Sequence, residues 1–191
     1  MYKKIAISNR EIFFKYHANS SQEDYAAHLA KICEITDFLI LREKDLSPQD
    51  YTALAESVIR HCENKRARII LHSFIDSCRK LNCRRIHLPL SIFAENLTLP
   101  NNFETVGVSV HSVNEAVYAQ KNNTSYIIYS HIFPTDCKKD LPPKGLAALE
   151  EVCKSVKIPV YALGGINNEN ELSVIAAGAS GICKMSDYMK C

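Results

Sequence analysis

The residues able to do chemistry stand at the ends of short apolar runs. Histidine closes three of them: His72 after residues 68–71, His111 after 106–110, and His131 just beyond 126–129. Imidazole titrates near neutral pH, so a positioned histidine can take a proton and return it. Arg42 and Lys44 follow residues 37–41 and offer cationic charge, Arg42 with a fork that matches a carboxylate. Thr135 and Lys138 follow the run before His131. Gly164-Gly165 closes residues 159–163, and Met185-Ser186 follows residues 181–183. Paired glycines suit positive φ or a close backbone approach, and backbone N–H groups beside a helix start hold phosphate. Together these types suit acid–base work on a small, anionic, phosphorylated molecule.

The elements that must position them are legible as alternation. Strand-like runs at 4–8, 37–41, 68–71, 85–88, 106–110, 126–129, 159–163 and 181–183 alternate with helical patterns. Helices are expected to start near Ser20-Ser21 and at Ser47-Pro48, and to cover 74–81, from Asn114 to about Gln120, 145–156 and 167–177. Residues 89–104 read as irregular, with at most one helical turn near Ile92–Asn96, and 130–143 as a long polar loop. The strands are short and apolar throughout, as strands covered on both faces are. No G-x-G-x-x-G or Walker sequence is present. The expectation is one domain over 1–191, a compact (β/α)8 TIM barrel of the α/β class. In such barrels the chemistry sits at the carboxyl ends of the strands. Only eight residues follow Cys183, so the final helix should be missing or vestigial, leaving a flank that a second copy could cover in a homo-oligomer.

Composition bounds the rest. The 191 residues are 47% hydrophobic and 23% charged, with net charge +2, which gives no reason to expect nucleic acid. Basic pairs such as Lys65-Arg66, Arg84-Arg85 and Lys138-Lys139 read as solvated. No run reaches the ~18–20 apolar residues of a membrane span, and no signal peptide is evident, so the expected location is cytoplasmic. Eight cysteines contain no C-x-x-C pair. They read as reduced thiols behaving as small hydrophobes, with neither a zinc site nor a disulfide framework. Cys137, in a polar loop, is the exception. His17, His28, His61 and His87 read as structural or exposed.

Five motifs in order then resemble the thiamine phosphate synthase/TenI family. Leu39-Ile40-Leu41-Arg42-Glu43-Lys44 is similar to its Q-L-R-E-K, and Gly107-Val108-Ser109-Val110-His111-Ser112 to its G-V-S-x-H-S. Pro134-Thr135-Asp136-Cys137-Lys138 stands in place of P-T-x-T-K. Residues 161–166 and 177–182 resemble its closing phosphate-binding segments. The resemblance implies a barrel enzyme of thiamine biosynthesis. Synthases hold magnesium with aspartates after strands 3 and 4. This chain has Leu71-His72-Ser73 and Pro89-Leu90-Ser91 there, with no carboxylate.

The TenI branch, thiazole tautomerase, lacks those carboxylates too, and its pattern resembles residues 130–139, with His131 where synthases usually have proline. The expected function is therefore metal- and cofactor-independent aromatisation of a thiazole carboxylate phosphate, with His111 and His131 catalytic. Arg42, Lys44, His72, Thr135 and Lys138 would bind substrate, and Gly164, Gly165, Met185 and Ser186 would bind phosphate. Alternatives are thiamine phosphate synthase, which joins a pyrimidine diphosphate to a thiazole phosphate, and a non-catalytic phosphate-ligand-binding protein.

Overall fold

The structure is a computed structural model describing residues 2–135 and 141–191. Its strands are β1 (Lys3–Ile7), β2 (Phe38–Leu41), β3 (Ile69–His72), β4 (Arg85–Pro89), β5 (Thr105–Val110), β6 (Tyr126–Ser130), β7 (Val160–Leu163) and β8 (Gly181–Lys184). They follow one another in chain order in a closed barrel, the (β/α)8 class expected from the alternation. The helices are α1 (Arg10–Tyr16), α2 (Gln22–Ile35), α3 (Pro48–Cys62), α4 (Ile75–Lys80), α5 (Leu90–Ala94), α6 (Val113–Lys121), α7 (Gly145–Ser155), α8 (Glu171–Ala176) and α9 (Ser186–Lys190). Two compact units can be distinguished, Lys4–Ile86 with Met185–Cys191, and Met1–Lys3 with His87–Lys184.

In the unit that begins at Lys4, β1, β2 and β3 pair in parallel, with Ala6 opposite Leu39 and Leu39 opposite Ile69. Ile5–Ile7, Leu39–Leu41 and Ile69–Leu71 are buried, as expected where helices cover the sheet. On α2, Tyr25, Ala26, Leu29, Ile32 and Cys33 recur at helical spacing and all are buried. Ser21 caps this helix in a reciprocal box with Asp24, which satisfies two otherwise orphaned N–H groups. Ser47 does similar service for α3 by accepting from the Asp50 N–H, with Pro48 as the first helical residue. One helix was not expected. Asn9 caps α1 by accepting from the Ile12 N–H at 2.9 Å, and only Phe13 of the seven residues is buried. A single buried side chain is too little to set a period. The short helix instead packs against α9.

In the other unit β5 to β8 pair in parallel, with Val108 opposite Ile127, Ile128 opposite Tyr161 and Ala162 opposite Ile182. The Tyr126 ring lies across Gly107, where a Cβ would collide with it. Residues 89–104 contain α5 and a 3-10 turn at Leu99–Asn101. The helix expected from 167 starts only at Glu171, because Asn167 and Asn170 hold the preceding turn with their side chains. Asn167 Oδ1 accepts from the Glu169 and Asn170 N–H groups at 2.9 and 3.1 Å, and Asn170 Oδ1 accepts from Asn167 N–H. No helix among the described residues is long and apolar enough to cross a membrane.

Gly107→Ala is expected to destabilise the fold by about 1–3 kcal/mol, the usual cost of overpacking a filled interior. Urea unfolding measures it. A loss under ~0.5 kcal/mol, the range of inert surface changes, would show that the Tyr126 ring can step aside freely.

Candidate active site

The segment from Gly107 to Ser112 now resolves into separate jobs. Gly107 makes room for Tyr126. Ser109 Oγ lies 2.8 Å from Nε2 of the buried His87, whose Nδ1 is 3.1 Å from Tyr126 Oη. Ser112 caps α6 by accepting from Glu115 N–H. Glu115 in turn accepts from the His111 backbone N–H at 2.6 Å. That leaves the His111 side chain, exposed at the end of β5. Its Nδ1 sits 3.0 Å from the Ser130 carbonyl oxygen. A carbonyl can only accept, so Nδ1 carries the proton. In the neutral ring Nε2 then keeps its lone pair and can act as a base.

Ser130 ends β6, and His131 follows it. The His131 imidazole is 3% exposed, with Nε2 3.2 Å from the Leu141 carbonyl oxygen, so Nε2 donates there and Nδ1 is left without a hydrogen bond among the described residues. The chain around His131 is tied down on both sides. Ile132 N–H donates to Leu163 O, Phe133 N–H to Gly164 O, Lys144 N–H to His131 O and Gly145 N–H to Ile132 O, all at 2.9–3.1 Å. The glycine pair permits this. Gly164 (φ +107) has His131 where a Cβ would go, and Gly165 (φ +65) has Phe133 and Pro134. The close approach expected of these glycines is therefore made to the His131 loop of the chain itself. Thr135 lies half-buried farther along the same loop. Lys138 and Cys137 lie outside the described residues.

A second polar group lies in this unit. Lys184 Nζ, at the end of β8, is 3.1 Å from Glu171 Oε2 and 2.9 Å from Asn168 Oδ1, and Tyr2 Oη donates to Glu171 Oε1 at 2.7 Å. Only the charge of Lys184 at a strand end could have signalled it.

The unit that begins at Lys4 holds the remaining expected residues. Arg42 is half-buried and Lys44 exposed just after β2. Between them Glu43, named from sequence only as part of a motif, is 3% exposed. Its Oε1 accepts from Ser8 Oγ at 2.5 Å and Tyr25 Oη at 2.7 Å, and its Oε2 from Arg10 N–H at 3.0 Å. Ser8 Oγ also accepts from Arg42 N–H at 2.7 Å. The Arg10 guanidinium pairs with Asp45. Burial pushes the Glu43 carboxyl up from its ordinary value, against the pull of its donors. His72 is 4% exposed, with Nδ1 2.7 Å from Ser73 Oγ, and its backbone N–H donates to Tyr51 Oη. Met185 and Ser186 are half-buried before and at the start of α9, and Met185 Sδ is 3.6 Å from Asn9 Nδ2.

Magnesium prefers oxygen donors, usually carboxylates. The β3 end offers an imidazole already engaged by a hydroxyl, and the β4 end offers Pro89 and Leu90. Among the described residues no three His, Cys, Asp or Glu side chains gather into a metal-holding group. The donors present at these strand ends do not fit magnesium.

A parallel eight-stranded barrel carrying imidazoles at the ends of β5 and β6 belongs to the (β/α)8 class and holds groups suited to acid–base work. The comparisons narrow it. A family model described as thiamine monophosphate synthase, TMP-TENI, matches residues 13–188, and the chain belongs to that family. It is 33% identical over 153 residues to the thiamine-phosphate synthase of Clostridium novyi, covering 78% of this chain and 75% of that one. It is 35% identical over 152 residues to a putative thiamine-phosphate synthase 2 of Aquifex aeolicus, covering 78% and 81%. In fold it is similar to thiamine phosphate pyrophosphorylase from Pyrococcus furiosus, with a TM-score of 0.77 and 22% identity over all of this chain and 88% of that one. The family is one of thiamine-biosynthetic enzymes.

Glu43 carries a pH prediction. Its folded-state pKa lies above the ordinary 4.5, so the folded chain holds this proton more tightly than the unfolded chain. That contribution to stability is full below 4.5 and is lost as pH rises through the folded value. Glu43→Gln opposes its amide to one of three donors and should cost about 1–3 kcal/mol at pH 5. The gap to the wild type should then shrink as pH rises, which denaturant unfolding at several pH values reads. A gap that widens would reverse the assigned direction.

Proposed function

We propose that this chain is a TenI-type thiazole tautomerase, which aromatises a thiazole carboxylate phosphate by moving a proton between ring carbons. The observation that carries this reading is the pair of imidazoles at the ends of β5 and β6. His111 is bonded to the carbonyl that directly precedes His131, and each ring has one nitrogen held by a carbonyl and one left bare. His111 Nε2 takes the proton, and the imidazolium so formed can return it at the other carbon. His131 is its buried companion, with Nδ1 as the nitrogen still open to bonding. Positioned proton transfer of this kind contributes roughly 10²–10⁴-fold. Support also comes from the resemblance of residues 130–139 to the TenI pattern and from strand ends whose donors suit no magnesium.

We assign phosphate binding to the backbone at Gly164, Gly165, Met185 and Ser186. Carboxylate binding falls to Arg42 and Lys44, and further substrate contacts to His72, Thr135 and Lys138, all on chemical grounds. A second reading, thiamine phosphate synthase, is favoured by the names of the relatives, which back it better than they back the tautomerase.

The test supplies the non-aromatic thiazole carboxylate phosphate and follows aromatisation by absorbance. Wild-type protein should accelerate it with EDTA present, and His111→Gln and His131→Gln should each lose about 10²-fold or more. Full activity in His111→Gln would remove that residue from the reaction. No acceleration by wild type, together with magnesium-dependent joining of the pyrimidine diphosphate to the thiazole phosphate, would replace the tautomerase with the synthase.

A further inference from the structure

A second reactive constellation lies where α4 ends and β4 begins. Leu81 closes α4, and Asn82 takes the left-handed conformation (φ 49). Asn82 N–H donates to Arg79 O at 3.1 Å and Cys83 N–H to Cys78 O at 2.8 Å. This is the Schellman ending of a helix, which carries the side chains three before and two after the cap into contact. That contact is commonly apolar. Here both positions are cysteine, and both are free and buried, Cys83 with 7% of its surface exposed.

The two sulfurs converge. Cys83 Sγ is 3.6 Å from the Arg85 carbonyl oxygen and Cys78 Sγ is 4.0 Å from the same atom. Positive charge is close by, because the Arg66 guanidinium binds the carbonyls of Leu81 and Asn82, the two residues before Cys83. The Cys78 thiol acts first on Cys83, and backbone bonds at Arg85 and Leu71 with the Arg66 charge assist. Together they outweigh burial and bring the Cys83 thiol down to about 6. The same partnership pushes Cys78 up.

We propose that Cys78 and Cys83 form a redox-active dithiol, a modification site for hydroperoxides in which Cys83 attacks and Cys78 resolves. The Cys83 sulfur attacks the peroxide oxygen and the O–O bond breaks. The alcohol, or water from hydrogen peroxide, leaves with the Cys83 proton, and Cys83 is left as a sulfenic acid. The Cys78 sulfur then attacks the Cys83 sulfur. The S–S bond forms, the S–O bond breaks, and hydroxide departs with the Cys78 proton as water. Two thiols are oxidised by two electrons and the hydroperoxide is reduced by two.

The test exposes the full-length, folded chain to hydrogen peroxide, blocks remaining thiols with N-ethylmaleimide and maps tryptic peptides without reduction. Arg79 and Lys80 lie between the two cysteines, so a disulfide keeps two otherwise separate peptides joined. The joined pair should form before the exposed Cys191 is oxidised and before any link between Cys33 and Cys62. Its rate should be nearly flat from pH 8 to 7 and fall below about 6. An ordinary thiol would already have slowed about eightfold between pH 8 and 7. In Cys78→Ser, Cys83 should accumulate as a sulfenic acid that dimedone traps. Alkylated Cys78 and Cys83 in wild-type protein whose Cys191 is already oxidised would overturn the proposal. So would a pair that closes only after unfolding in urea.

Discussion

The end of the β5–β8 unit that carries His111 and His131 depends on one steric fact, a backbone packed on a backbone. Gly164 and Gly165 leave no space where a side chain would begin, and His131, Phe133 and Pro134 fill it. The chain leaving β6 is thereby pressed onto the end of β7 and stitched there by Ile132 N–H to Leu163 O and Phe133 N–H to Gly164 O. His131 has its place because of that contact, and the Ser130 carbonyl that orients His111 belongs to the same stitched segment. A side chain at either glycine would move the segment that carries one imidazole and orients the other. Both glycines also need positive φ, so two independent demands meet at each position.

The Lys4–Ile86 unit solves the same positioning problem with polar atoms. Ser8 stands between β1 and the residues after β2, accepting from Arg42 N–H and donating to Glu43. Tyr25 from α2 and the backbone of Arg10 complete the set. A buried carboxylate with three donors is costly to desolvate and costly to leave unpaired, so the loop bearing Arg42 has few alternatives. Lys44, by contrast, projects from an exposed position beside this anchor.

These two devices explain what could be read in the sequence. The strands were legible because each is a short apolar run, and the expected limits differ from those observed by a residue or two. The strand-end histidines followed directly. Positive φ at Gly164-Gly165 was legible from the pair itself, but its neighbour was not, since His131 lies 33 positions earlier in the chain. Glu43 looked like one charge in a charged run because Ser8 and Tyr25, which reveal its burial, are distant in sequence. Helix α1 was missed for want of a buried face, and α8 was drawn too long because asparagine turns resemble a helix start. Cys78 and Cys83 are local, five apart, and their pairing needs only the turn at Asn82. Reading them as separate small hydrophobes overlooked a helix ending.

The gap between the relatives' names and the chemistry of the strand ends has a physical source. Most of the residues that create the family likeness are explained by packing: Gly107 by the Tyr126 ring, Ser109 by His87, Ser112 by the start of α6, and Gly164-Gly165 by the His131 loop. Packing in this chain accounts for them without reference to any reaction, so likeness at these positions speaks for the scaffold. The reaction must be read where packing leaves a side chain's chemistry unspent. Among the described residues these include Nε2 of His111 and Nδ1 of His131, while the β3 and β4 ends present an engaged His72 and Pro89 in place of carboxylates. They make up too little of the chain to alter a percentage identity, yet under the proposed tautomerase reading they set which charge can be stabilised and which proton can move.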